Sequence, residues 1–132
     1  MVVNRTVARR PPLLVLVQTE ATVLMSLAIG QAGLASGFLT GHKSLKGIHE
    51  VNAYLIAALT VVTLVSVVLY RRTGGPRWPV TVAGLLMAVE LAQIGLGQLD
   101  VAGPHIFLGI LFVVAATLFT SYLFRPGFQA AP

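Results

Sequence analysis

Residues 47–62 read GIHEVNAYLIAALTVV, and residues 103–114 read GPHIFLGILFVV. Each stretch opens on a glycine, sets a histidine (His49, His105) just behind it, and runs on as an apolar sequence. The apolar runs they begin cover 48–70 and 104–124, and two more cover 13–37 and 79–99. At a helical rise of about 1.5 Å per residue, about 20 residues cross a hydrocarbon core of roughly 30 Å. The expected fold is all-α: an integral membrane four-helix bundle of two helical hairpins, a single domain over 1–132 spanning the lipid bilayer.

Composition supports that reading. Of 132 residues, 56% are hydrophobic and 10% charged, with a mean hydropathy of +0.86. A soluble domain needs far more charge to cover its surface. Arg5, Arg9 and Arg10 before the first apolar run imitate a signal peptide. That run outlasts a signal core, and no small-x-small cleavage pattern follows it, so it reads as a first span.

A net charge of +5 could indicate a nucleic-acid partner, but its distribution argues against one. Arg5, Arg9, Arg10, Arg71, Arg72, Arg77 and Arg125 fall at one set of helix ends, and only Lys43 and Lys46 at the other. By the positive-inside rule both termini and the 71–77 loop are cytoplasmic, in a multi-pass protein of the cell membrane. Loops 38–47 and 100–103 then face outward. The residues Thr73-Gly74-Gly75-Pro76 form a turn, and Trp78 sits at the water boundary. The chain has no cysteine, which excludes disulfides, thiolate ligands and covalent CxxCH haem attachment.

Small residues line two helix faces: Ser26, Gly30, Gly33 and Gly37 on the first, Gly84, Ala88 and Gly95 on the third. Such a face admits either a neighbouring helix or a flat ligand. The landmarks Gln31, Gly33 and His49 recur in order as Gln93, Gly95 and His105. This is either a weak tandem repeat or coincidence. As a repeat it sets the two histidines at equal depth on diagonal helices.

Two imidazoles at matching depth can fill both axial positions of a haem iron, which favours electron transfer over oxygen binding. Helical bundles build cofactor sites from facing helices in this way. His49 and His105 are therefore the candidate metal ligands of a non-covalent, b-type haem near the outer face. Gly109 and Ala53 lie one turn below them and leave the porphyrin faces clear. Gly33 and Gly95 lie alongside, and Asn52 and Thr60 are available to orient His49. The plain alternative is that both histidines reach for interfacial water. His42, in the outer loop, is a third ligand, a propionate contact or neither; Lys43 and Lys46 are propionate partners or ordinary interface lysines.

The order Gln31-Ala32-Gly33-Leu34, Thr40-Gly41, Ile48-His49, then Gln93-Ile94-Gly95-Leu96-Gly97 and His105-Ile106-Phe107-Leu108-Gly109, resembles one four-helix half of the haem A synthase family. The resemblance covers about residues 13–125. It implies a haem held by His49 and His105, and a half standing alone as one bundle. It also implies a catalytic Glu three residues before the second-helix histidine, where this chain has Lys46. Glu50 follows the histidine, about 100° round the helix, and is a poor substitute. The resemblance thus carries haem binding further than haem A synthesis, and no catalytic residue is assigned.

Glu20 and Glu90 remain. Glu90 falls near mid-span, where a carboxyl is expected to hold its proton and to bond Gln93 or a neighbouring helix. Glu20 is expected to pair with an arginine. Beside the haem reading stand a small proton-coupled transporter using Glu20 and Glu90, and an accessory subunit of a larger membrane complex. Homo-oligomers or a respiratory complex are the candidate assemblies.

Overall fold

A computed structural model describes residues 10–129; Arg5 and Arg9, counted above among the basic flank, lie outside the described residues. Four long helices run Pro12–Leu39 (α1), Leu45–Arg72 (α2), Trp78–Gln98 (α3) and Ala102–Leu123 (α4), followed by one turn at Pro126–Gln129 (α5). Each of α1 to α4 is long and apolar enough to cross a membrane. They form a ring in which α1 packs on α2 and α4, and α3 packs on α2 and α4, leaving α2 and α4 on one diagonal.

The expected spans are all present, with one useful shift. α2 begins at Leu45, not at Ile48, so His49 lies in its second turn. The cause is packing. The Leu45 side chain occupies the space over Gly37 that any Cβ there would need, which draws the start of α2 onto the end of α1. The loop between them shrinks to residues 40–44. At the other end, Gly74 takes φ 100° in the α2–α3 turn, a conformation only glycine adopts without strain.

The two ends of the bundle differ. Arg10, Arg71, Arg72, Arg77 and Arg125 flank one end (the arginine end), while Lys43 and Lys46 flank the other (the histidine end). Core packing is concentrated toward the arginine end: Leu14, Val17, Ala21 and Leu24 of α1 meet Val67 and Tyr70 of α2, Ala83 and Leu86 of α3, and Phe119 and Leu123 of α4. Toward the histidine end the pattern stops. No residue is buried over 29–51 or 94–111. The interior of a folded chain is ordinarily close-packed, and this half of the bundle is packed more loosely than the arginine end.

Outward-facing positions are apolar along the full helix lengths, with Leu85 62%, Phe107 61% and Ile110 59% exposed. A surface of that kind needs a hydrocarbon surrounding. Polar groups turn inward and bridge helices: Gln18 donates to the Leu123 carbonyl (2.8 Å) and Thr120 to that of Ala21 (3.0 Å). Between membrane helices such bonds contribute about 0.6 kcal/mol each, up to about 1.7.

Candidate metal centre

The inward stripe of α2 runs Asn52, Ile56, Thr60, Thr63, Val67 and Tyr70, all buried. Extended one step toward the open end, at the same three-to-four spacing, it reaches His49. On α4 the stripe Phe112, Ala116, Phe119 and Leu123 extends through Gly109 to His105 in the same way. Helical periodicity therefore aims both imidazoles into the bundle. Their helices lie on the diagonal, and the rings meet across it with centres 6.1 Å apart and planes at 65°. Two imidazole nitrogens each about 2 Å from one metal ion place ring centres about 6 Å apart. The observed separation between ring centres is of that size.

Each histidine is held by a glutamine of the preceding helix. Gln93 donates its amide to the His105 carbonyl at 2.7 Å, and the ring Nδ1 of His105 lies 2.9 Å from the Gln93 carbonyl. A carbonyl oxygen only accepts, so His105 Nδ1 carries the proton and its Nε2 presents a lone pair to the interior. Gln31 donates to the His49 carbonyl at 3.0 Å, and its amide nitrogen lies 3.3 Å from His49 Nε2. Asn52 fixes that amide by donating to Gln31 Oε1 at 2.8 Å and to the Leu27 carbonyl at 3.1 Å. His49 Nδ1 is buried with no hydrogen-bond partner. An amide nitrogen only donates, so His49 Nε2 accepts from Gln31 and Nδ1 carries the proton. Leaving that N–H unpaired costs about 1–3 kcal/mol, and metal ligation through Nε2 requires Gln31 to release it.

The other expected site residues divide. Asn52 acts on His49 through Gln31, as anticipated for a group that orients the ring. Thr60 does not: its hydroxyl donates to its own helix, at the Ile56 carbonyl (2.7 Å). Gly109 has a different use from the one expected. The space over it is taken by the Gln93 amide, 3.3 Å from where a Cβ would stand, so its small size lets Gln93 reach His105. Gly33 and Gly95 do not line the site: each lies about 200° round its helix from the inward-pointing Gln31 or Gln93, is exposed, and has nothing within 4 Å of a Cβ. Gly97, not anticipated, leaves room for the His105 ring, which lies 3.3 Å from where a Cβ would stand. His42 is exposed and its Nδ1 turns to the Gly37 carbonyl (3.2 Å), closing the end of α1 away from the other two histidines. Among the described residues no group of three or more His, Cys, Asp or Glu could hold a metal ion, so His49 and His105 can act only as a pair.

The roles of Gln31 and Gln93 escaped the sequence reading, although both were landmarks of the apparent repeat. Their fixed place before each histidine was the available signal; what it lacked was the direction of the side chain.

The interior carboxyls depart from expectation. Glu20 pairs with no arginine: its Oε1 accepts from Ser66 at 2.8 Å and its Oε2 is buried without a partner. An arginine would have to reach past a buried helix face, whereas Ser66 lies directly opposite on α2. Glu90 is buried, and it does not bond Gln93, whose amide is committed to His105. The chain matches no protein-family model, no curated protein and no solved structure.

Proposed function

We propose that this is a haem-binding integral membrane protein in which His49 and His105 ligate one b-type haem iron, serving electron transfer or haem handling. The observation that carries the reading is the meeting of the two rings, 6.1 Å between centres, from diagonal helices. The lone pair that His105 Nε2 presents, with Nδ1 held by the Gln93 carbonyl, and the loosely packed histidine end support it. A flat ligand would enter between the helices at this loosely packed end.

A haem held by His49 and His105 would supply one-electron redox chemistry, and ligation by both would disfavour oxygen activation. The chain's own residues do the rest. The Gln93 carbonyl holds the tautomer of His105, and Asn52 and Gln31 hold the backbone and ring of His49. The same Gln-to-His-carbonyl bond in each hairpin supports a tandem repeat related by an axis along the bundle. The arginine and lysine distribution supports cytoplasmic termini and a histidine end near the outer face of the cell membrane. The resemblance to a haem A synthase half agrees with this site. With Lys46 where that family has its carboxylate, the synthase reaction is not part of the proposal.

The test is an absorption spectrum of protein extracted from haem-replete membranes, oxidised and reduced. The expected result is a Soret band with split α and β bands on reduction, abolished in both His49→Ala and His105→Ala. A colourless preparation, or colour that survives both substitutions, overturns the reading. A second reading, proton-coupled transport, draws on the buried Glu20 Oε2 and on Glu90. A colourless protein whose transport is abolished by Glu90→Gln selects it.

A further inference from the structure

At the arginine end a cavity of about 560 Å³ opens between α3 and α4, lined by Trp78, Val82 and Val89 on one side and Phe112, Ala115 and Tyr122 on the other. From Trp78 to Val89 is about 16 Å along the helix axis at about 1.5 Å per residue. That is roughly half a hydrocarbon core of about 30 Å, the depth of one leaflet. Leu85 and Leu118 on its rim are 62% and 53% exposed, so the groove opens sideways, toward lipid. A second hollow shares Trp78 and Tyr122 and adds Arg125, Pro126 and Phe128. The apolar groove therefore ends on a cation.

We propose that this seam binds one anionic phospholipid, with an acyl chain in the groove and the phosphate on Arg125. The guanidinium carbon lies over the Tyr122 ring, 3.7 Å from its centre, a cation–π contact that holds the charge at the mouth of the groove. Among the described residues no carboxylate side chain pairs with it. The chain's four acids are Glu20, bonded to Ser66, Glu90 in mid-helix, and Glu50 and Asp100 at the opposite end. An acyl chain gains no hydrophobic stabilisation on moving from bilayer to groove, because both surroundings are apolar. Selectivity must then come from the charged contact, which calls for an anionic headgroup. A long-chain quinone would leave the guanidinium unpaired. A parallel second copy would bring arginines against arginines.

Trp78 is the chain's only tryptophan and lines both hollows, so it reports occupancy directly. The protein is reconstituted in phosphatidylcholine vesicles in which either phosphatidylglycerol or phosphatidylcholine carries brominated acyl chains. Comparing the two lipids on one protein preparation cancels any other quencher. The expected result is that phosphatidylglycerol is preferred at Trp78 by roughly fivefold, the size expected for one guanidinium beside an anionic headgroup. Arg125→Gln lowers the preference to about one, while Arg72→Gln, on the same end but outside the groove, leaves it unchanged. A ratio near one in the unaltered protein overturns the proposal. So does a preference that survives Arg125→Gln, displacement of the brominated lipid by an equal mole fraction of long-chain quinone, or a Trp78 that neither lipid reaches.

Discussion

At the residue scale the histidine end depends on amide groups more than on the imidazoles themselves. Asn52 is buried and donates both to Gln31 and to the Leu27 carbonyl, so it sets which end of the Gln31 amide faces His49. Asn52→Leu keeps the volume and removes both donations. We expect a loss of about 1–2 kcal/mol in unfolding stability, the sum of two inter-helix bonds of ordinary size. If the haem reading holds, ligand affinity falls a further 10–100-fold, as for groups that orient a metal-bound histidine. Unfolding in detergent measures the first and haem titration of the purified protein the second. Unchanged values in both would show that the Asn52–Gln31 bond holds nothing in place. Gln93 is the counterpart for His105, but there the ring also bonds the Gln93 backbone, which no side-chain substitution removes. Gln93→Leu is therefore expected to weaken the site less than Asn52→Leu does.

At the scale of elements, the seams are set by where glycine is and is not crowded. Gly109→Val drives a branched side chain into the Gln93 amide, 3.3 Å from the Cβ position, and breaks its bond to His105. Overpacking of that kind costs about 1–3 kcal/mol, read as a lowered unfolding midpoint. Gly33→Ala and Gly95→Ala meet nothing within 4 Å. In the ligand-free protein they are expected to be neutral or to stabilise by up to about 1 kcal/mol through helix propensity. Destabilisation by either would reveal a partner packed on that face. The four spans could be read directly from the chain because membrane thickness fixes apolar length, and His49 and His105 could be paired because the buried stripes of α2 and α4, continued at three-to-four spacing, arrive at them. Two other features could not be read. The early start of α2 depends on Leu45 filling the space over Gly37, a contact between residues in different helices. The choice of Ser66 over an arginine for Glu20 depends on helix register, which no local pattern encodes.

For the whole molecule the open matter is which way the bundle faces, since helices alone are symmetric to inversion across a bilayer. The described cations divide unevenly, with Arg10, Arg71, Arg72, Arg77 and Arg125 at one end and Lys43 and Lys46 at the other. Short loops are retained on the cytoplasmic side according to that excess, so the arginine end should be internal. The absence of cysteine makes the test clean, because a single introduced thiol is the only one present. Ser44 in the α1–α2 loop and Thr73 after α2 are both exposed and lie at opposite ends. A membrane-impermeant maleimide applied to intact cells is expected to label Ser44→Cys and to leave Thr73→Cys unmodified until the membrane is permeabilised. The reverse pattern would put the paired histidines on the cytoplasmic side and Arg125 in the outer leaflet. Equal labelling of both before permeabilisation would mean that the four helices do not all cross.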